Sequence, residues 1–427
     1  MSSLSGRRGV PGPSGILGVL MTPSMTRRRW IAAGTAAAAA SALPAAPPGT
    51  RTQGAAPAPP LPTPFSPDVF RERQSRLRAA ARAQGVDALF VTPSTNLAYS
   101  ANLSIFRSER LTTLLLMTDG PAVLVTPLFE ADNHRRDAVV DDVVTWREDE
   151  DPFATAAKSL GRIKTLGIEG STAWDTGSRI VAASGAAPRD AGPIFDGQRT
   201  VKTDAEQEMI RDAARRTIAA IEATHKRLER GLTENAVSDM LEQEFRKLGV
   251  KGGGLVQFGP SAALPHGGPG DRKLAAGDVV LIDAGCKVRG YNSDVTRSVA
   301  FGAPSDELRK VYATVDRAQR AGIDALRAGA AGQDVDRAAR RVIEEAGYGQ
   351  YFTHRLGHGL GMDGHEAPYL VGGNEAPLAA GNVVTIEPGI YVPGRLGVRI
   401  EDDYAVRSGA PAGALSARPG ELTVLNG

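Results

Sequence analysis

Residues 278–301 read DVVLIDAGCKVRGYNSDVTRSVAF. Two apolar, β-branched runs, Val279–Asp283 and Asp294–Phe301, flank a stretch rich in Gly and Asn, the pattern of a β-hairpin with a carboxylate on each arm. Residues 383–406, VVTIEPGIYVPGRLGVRIEDDYAV, repeat the theme around Pro393-Gly394, with Glu387 on one arm and Glu401 on the other. Each hairpin follows two helical stretches. Thr203 or Asp204 caps a helix predicted to run to about Arg230, and a second runs from Thr233 to Leu248, with Gly249 as terminator. Before the second hairpin stand predicted helices over 306–328 and 335–346. Helix-helix-hairpin, twice over, predicts an internal pseudo-two-fold repeat in which facing halves bring four carboxylates onto one surface.

Side chains on one face of neighbouring strands meet, so Asp283 and Asp294 can share a cation. His358 enters from the glycine-rich run LGHGLG, where backbone approaches a site without side-chain obstruction. Asp283, Asp294, His358, Glu387 and Glu401 form a mostly hard, anionic set that suits two divalent cations; without metal it concentrates like charge at a cost. Carboxylate-rich ligation favours Mn²⁺, and the single imidazole leaves Co²⁺, Fe²⁺ and Zn²⁺ open. Paired ions about 3.5–4 Å apart can share a hydroxide and polarise a carbonyl, the equipment of amide hydrolysis. His354 and His358 are four apart but lack the His-Glu-x-x-His interior of a zinc protease, so that motif is rejected. The one cysteine, Cys286, reads as a small buried residue beside the metal strand rather than a nucleophile, and it permits no intramolecular disulfide.

The 427 residues predict two domains, and 42% hydrophobic with 23% charged residues describes a soluble globular chain. From residue 68, a predicted amphipathic helix (70–84) and apolar runs at 87–92, 111–117, 122–126 and 165–169 suggest an α/β domain ending near residue 200. The catalytic domain then occupies 201–427. Five of the arginines lie in residues 1–42, which hold no acid, so the net charge of +2 becomes −3 without them. That removes the electrostatic case for nucleic acid. Thr26-Arg-Arg-Arg-Trp-Ile31, the alanine-rich run to Leu43 and the small-residue site Ala40-Ser41-Ala42 resemble a twin-arginine export signal. Periplasmic or secreted location is the expectation, with cytoplasmic location if the signal is unused. Met25 immediately precedes the motif, so residues 1–24 read as an over-long start. The alanine-rich run is too short for a stable membrane span, and residues 43–67 read as a stiff Pro/Ala-rich linker.

The runs LPHGG (264–268), DVVLIDAG (278–285), SDVTR (293–297), HRLGHGLGMDGHEAP (354–368), IEPGIYV (386–392) and VRIEDD (398–403) together resemble the pita-bread metallopeptidases, a family that includes prolidase, aminopeptidase P and methionine aminopeptidase. The resemblance implies a mixed α/β (α+β) fold: a pita-bread catalytic domain preceded by a creatinase-like N-terminal domain. It implies that Asp283 holds one metal, His358 and Glu387 the other, and that Asp294 and Glu401 bridge them. Glu387 would also act as general acid/base, His365 would steady the tetrahedral intermediate, and His266 would contact the substrate amide. His354 and Arg399 match positions lining a proline pocket, and Tyr391 would assist from the rim. Arg399 lies two residues before Glu401, so a strand directs both to one face, whereas Asp402 faces away and reads, with Asp403, as structural.

The separate N-terminal domain, the histidine array and Arg399 favour the proline-cleaving branch over methionine aminopeptidase, and intact metal ligands disfavour both creatinase chemistry and a non-catalytic binding module. The expectation is an Xaa-Pro dipeptidase acting on small proline-containing peptides, with aminopeptidase P as the alternative. The resemblance further implies a homodimer or homotetramer.

Overall fold

The computed structural model describes residues 58–427. The export-signal reading and the first part of the linker lie outside these residues. Among the described residues, no helix is long and apolar enough to cross a membrane.

The N-terminal domain is built on a mixed six-stranded sheet. Its strands are β1 (Ala88–Val91), β2 (Thr113–Met117), β3 (Ala122–Pro127), β4 (Asp142–Trp146), β5 (Thr165–Ile168) and β6 (Ala187–Asp190), in the order β4-β3-β2-β1-β5-β6. Helices α1 (Pro67–Ala83), α2 (Thr95–Ala101), α3 (Ala131–Asp137), α4 (Pro152–Leu160), α5 (Trp174–Ser184) and α6 (Gly192–Arg199) surround it. Strands β1 and β2 are buried at every position, because helices and loops cover both faces.

The catalytic domain opens with α7 (Asp204–His225). Thr203 accepts the backbone N–H of Glu206, and the Glu206 carboxylate accepts the N–H of Thr203, closing a reciprocal cap. Helix α8 is Glu234–Lys247. Strands β7 (Gly252–Phe258), β8 (Val279–Val288) and β10 (Val295–Phe301) form an antiparallel sheet, with β9 (Tyr291–Asn292) on the edge of β8. The second half repeats the order: α9 (Asp306–Ala325), α10 (Gly332–Glu345), then β11 (Gly357–Gly359), β12 (Glu366–Leu370), β13 (Val383–Ile386), β14 (Gly389–Val392), β15 (Leu396–Arg399) and β16 (Asp402–Ala405). Short strands β17 (Gly413–Ala414) and β18 (Val424–Leu425) finish the chain on β16 and β10.

The two faces of β8 serve different cores. Val280, Ile282, Ala284 and Cys286 pack with α7 and α8, whereas Val279 and Leu281 join a core with the second half. On β10, Val295, Val299 and Phe301 take the first face and Ala300 the second. Asp283 and Asp294 continue that second face, so burying the inner ends of these strands aims both carboxylates at the opposing half.

Two expectations change. The second hairpin is not a pair of unbroken strands: β13 pairs β16, and β14 pairs β15 in a separate ribbon. Pro388 has no N–H to give, and the N–H of Glu401 goes across to Thr296 O instead (3.2 Å). Both ladders nevertheless keep one register, which sets Glu387 opposite Glu401 at the break. The described end of the stiff linker is docked rather than simply spanning between elements. Pro59 and Pro60 carbonyls accept from Arg216, Pro62 accepts from Arg289, and Phe65 packs edge-on against Tyr291 at 5.9 Å. An extended proline-rich chain leaves its carbonyls unpaired internally and therefore free for such contacts.

Candidate metal centre

Asp283 does not face Asp294 across the hairpin. Its direct partner is Thr296, so Asp294 sits two residues along on the same face, a diagonal neighbour. His358 is the middle residue of β11, pressed between β12 and β13. Its neighbours must be glycine: a Cβ at Gly357 would stand 2.0 Å from Thr385 O, and one at Gly359 would stand 2.2 Å from Ala367 O. The ring is held by its own strand, with Nδ1 3.1 Å from Gly359 O and the backbone N–H donating to Thr385 Oγ1 at 3.1 Å. In the neutral ring Nδ1 therefore carries the proton and Nε2 is free to ligate.

The five sequence-predicted ligands converge. Ligand atoms of Asp283, Asp294 and Glu401 lie within 4.8 Å of one another, as do those of His358, Glu387 and Glu401, and those of Asp294, His358 and His365. His358 Nε2 is 3.7 Å from Asp294 Oδ2 and 3.5 Å from Glu387 Oε1. Burial, with Glu401 and Asp283 close by, pushes Asp294 well above the usual carboxylate range. Burial and Glu401 do the same to Glu387, and burial and Asp283 push Glu401 up to about 8. Burial, reinforced by His365, drops His358 to about 3. Three converging acids that resist ionising together, Asp294, Glu387 and Glu401, beside Asp283 and an imidazole that stays neutral, are the donor set expected of a site completed by divalent cations.

Nine of the ten predicted site residues line one cavity of about 380 Å³: His266, Asp283, Asp294, His354, His358, His365, Glu387, Arg399 and Glu401. Tyr391 lies behind the wall, its hydroxyl 2.9 Å from His354 Nε2 and accepting from Arg399 at 2.8 Å. Arg399 is less free than a pocket residue was expected to be. Only 2% of its side chain is exposed; it pairs with Asp283, donates to Thr296 Oγ1 (3.1 Å), and places Nε 3.9 Å from Glu401. Burial drops His354 to about 4, so it is neutral at physiological pH. Asp402 and Asp403 are structural, as expected. Asp402 pairs with Arg297 at 2.7 Å, and Asp403 accepts the backbone N–H of Asp294 at 3.2 Å.

Sequence reading missed three contributors. Thr296 donates to Glu401 Oε2 at 2.6 Å, and its place two residues from Asp294 on one strand face was the available signal. Arg355 lines the cavity and donates to His365 Nδ1 at 3.3 Å, leaving the His365 proton on Nε2. The third is a clamp from the inter-domain segment. Arg199 binds Asp363 and Glu366, each at 2.6 Å, and Lys202 binds Glu366 at 2.5 Å. Those two acids flank His365, whose own side chain is exposed, so the clamp fixes the loop that carries it.

Residues 73–201 match the creatinase/prolidase N-terminal domain, and residues 208–408 match metallopeptidase family M24. An uncharacterized peptidase of Staphylococcus haemolyticus is 38% identical over 325 residues, 75% of this chain and 92% of the relative. Among solved structures, an Xaa-Pro dipeptidase from Bacillus anthracis is 34% identical, with a TM-score of 0.77, covering 83% of this chain and all of that one. An X-Pro aminopeptidase from Thermotoga maritima is 30% identical, with a TM-score of 0.73, covering 81% and all, respectively. The fold is that of the proline-cleaving, pita-bread branch, in which a creatinase-like domain precedes the catalytic one. By these matches and by its ligand geometry, the chain belongs to the M24 metallopeptidases.

Proposed function

We propose that this peptidase hydrolyses the amide bond before proline in dipeptides, using two divalent cations, Mn²⁺ before Co²⁺, Fe²⁺ or Zn²⁺. The carrying observation is that the ligand cluster shares one cavity with the guanidinium groups of Arg399 and Arg355 and with the imidazoles of His354 and His266. In this reading Asp283 serves one cation, His358 and Glu387 the other, and Asp294 and Glu401 both. Bound there, the cations supply an activated water and polarise the scissile carbonyl. Glu387, whose burial raises its proton affinity, takes the proton from water and delivers it to the departing proline nitrogen. His365, its proton placed on Nε2 by Arg355, donates to the oxygen that gains charge. The paired His354 and Tyr391 hold the wall against which the proline ring rests, and His266 meets the substrate amide. The guanidinium groups of Arg355 and Arg399 suit the free carboxylate of a dipeptide, which favours dipeptidase over aminopeptidase, although the Thermotoga similarity keeps the second reading in view.

The test compares Ala-Pro with Ala-Pro-Ala on Mn²⁺-loaded protein. Preferential release from Ala-Pro, abolished by EDTA, supports the dipeptidase; preference for Ala-Pro-Ala makes it an aminopeptidase; activity after complete metal removal refutes the mechanism. Periplasmic export and assembly as a dimer or tetramer belong to the same reading, tested by cell fractionation and light scattering.

A further inference from the structure

The metal-bearing face of β8 carries, in order, Val279, Leu281, Asp283, Gly285 and Lys287. It passes from core, through a ligand, across a bare position, to a cation. Gly285 has no alternative, since a Cβ there would strike Ser293 O at 2.3 Å. On the adjacent strand, Leu255 faces Asp283 and Gly253 faces Gly285; continued past the strand's start, that register sets Lys251 against Lys287. Like charges directly opposite on paired strands destabilise a sheet. The lysines that stand in ion pairs among the described residues are Lys202 and Lys247, so neither Lys251 nor Lys287 is neutralised in this way. Lys287 reaches the Met362 carbonyl at 3.3 Å, and Asp363, an acid close enough to feel its charge, is already bound by Arg199.

These two lysines line a second cavity, of about 440 Å³, which shares Asp283, Asp294 and His365 with the catalytic one. The shared residues set a direction. The carboxylate of a dipeptide suits the Arg355 and Arg399 guanidinium groups of the first cavity, which leaves its first residue at the junction marked by Asp283, Asp294 and His365. The side chain of the first residue then enters the second cavity, past Gly285 and the Ser293 carbonyl, towards Lys251 and Lys287.

We propose that Lys251 and Lys287 make this enzyme selective for an acidic residue before proline, Glu-Pro or Asp-Pro. This rests on the Xaa-Pro dipeptidase reading and adds its first-residue specificity. Both ammonium groups are solvent-exposed, so the effect is moderate and falls with salt. A preference of about tenfold in kcat/KM is the scale for two part-screened charges acting on one carboxylate.

The experiment measures kcat/KM of the Mn²⁺-loaded full chain for Glu-Pro, Ala-Pro and Lys-Pro, in wild type, in Lys251→Gln/Lys287→Gln and in Lys287→Glu, with thermal unfolding confirming each fold. The expected order is Glu-Pro over Ala-Pro over Lys-Pro in wild type, with the Glu-Pro to Ala-Pro ratio falling about tenfold in the double variant. Lys287→Glu should shift preference towards Lys-Pro. An unchanged Glu-Pro to Ala-Pro ratio in the variants overturns the specificity while leaving the dipeptidase standing. Hydrolysis of no Xaa-Pro dipeptide at all overturns both.

Discussion

Replacing Thr296 with valine tests how the two halves are joined. Thr296 is fully buried, directly opposite Asp283, and its hydroxyl donates to Glu401 Oε2 at 2.6 Å while accepting from Arg399 Nε at 3.1 Å. Valine keeps the branched shape and removes both hydrogen bonds. Arg399 retains Tyr391 and Asp283, so the loss should concentrate on Glu401, a buried acceptor left without its donor, which costs about 1–3 kcal/mol. We expect metal-free protein to lose about 2 kcal/mol, or about 4–8 °C in Tm for a domain of this size. The Thr296 hydrogen bond also favours the ionised form of Glu401 against the burial that pushes it up to about 8. Without it, Glu401 binds its proton more tightly, and Mn²⁺ must displace that proton. Isothermal titration at pH 7 should therefore show Mn²⁺ affinity falling about tenfold or more, with more protons released per ion. A variant that unfolds at the wild-type temperature and binds Mn²⁺ equally well would refute the account of Glu401.

The carboxylate shifts carry a pH signature. Asp294, Glu387 and Glu401 bind protons more tightly folded than unfolded, so their contribution is present at low pH and lost as pH rises towards about 8, the value for Glu401. His354 and His358 act oppositely but only below their ordinary 6.5, so between pH 6.5 and 8 metal-free Tm should fall and Mn²⁺ should raise it more at pH 8; a flat profile contradicts this. Asp294→Ala and Glu401→Ala should each reduce metal content from two ions towards none by elemental analysis, whereas His365→Ala should keep both ions and lose turnover by about 10²-fold or more. Arg199→Ala should lower kcat with metal content unchanged, because Asp363 loses its clamping cation and Glu366 keeps only Lys202, which loosens the His365 loop. A parallel loss of metal would show that the clamp holds the ligands rather than His365.

The convergence of Asp283, Asp294, His358, Glu387 and Glu401 was legible because the strand period of two and the helix-helix-hairpin repeat are local patterns that survive folding. Pro388 also marked the strand break in plain sight: a residue without an N–H inside a run otherwise read as one strand. What stayed hidden was pairing over distance. Arg199 and Glu366 are 167 residues apart, and only the docking of one domain on the other brings them together. Arg399 is the mixed case. Its face was predictable from Glu401, but its ion pair with Asp283 depends on how the two hairpins pack, 116 residues apart. The docked linker was missed for a similar reason, since its carbonyls bond to arginines whose positions no local pattern reveals.

Cys286 offers an independent readout of this architecture. It is the chain's one thiol, 5% exposed, wedged between β8 and α7, with Sγ 3.4 Å from Ala213 O and near the Thr217 and Ser293 hydroxyls. Burial raises its pKa, so the folded thiol is both hidden and protonated, and alkylation must wait until α7 lifts from the sheet. Asp283 is three residues away on the same strand. The time course of alkylation, followed with and without Mn²⁺, thus counts opening events at the back of the metal strand, using a reporter the chain already carries.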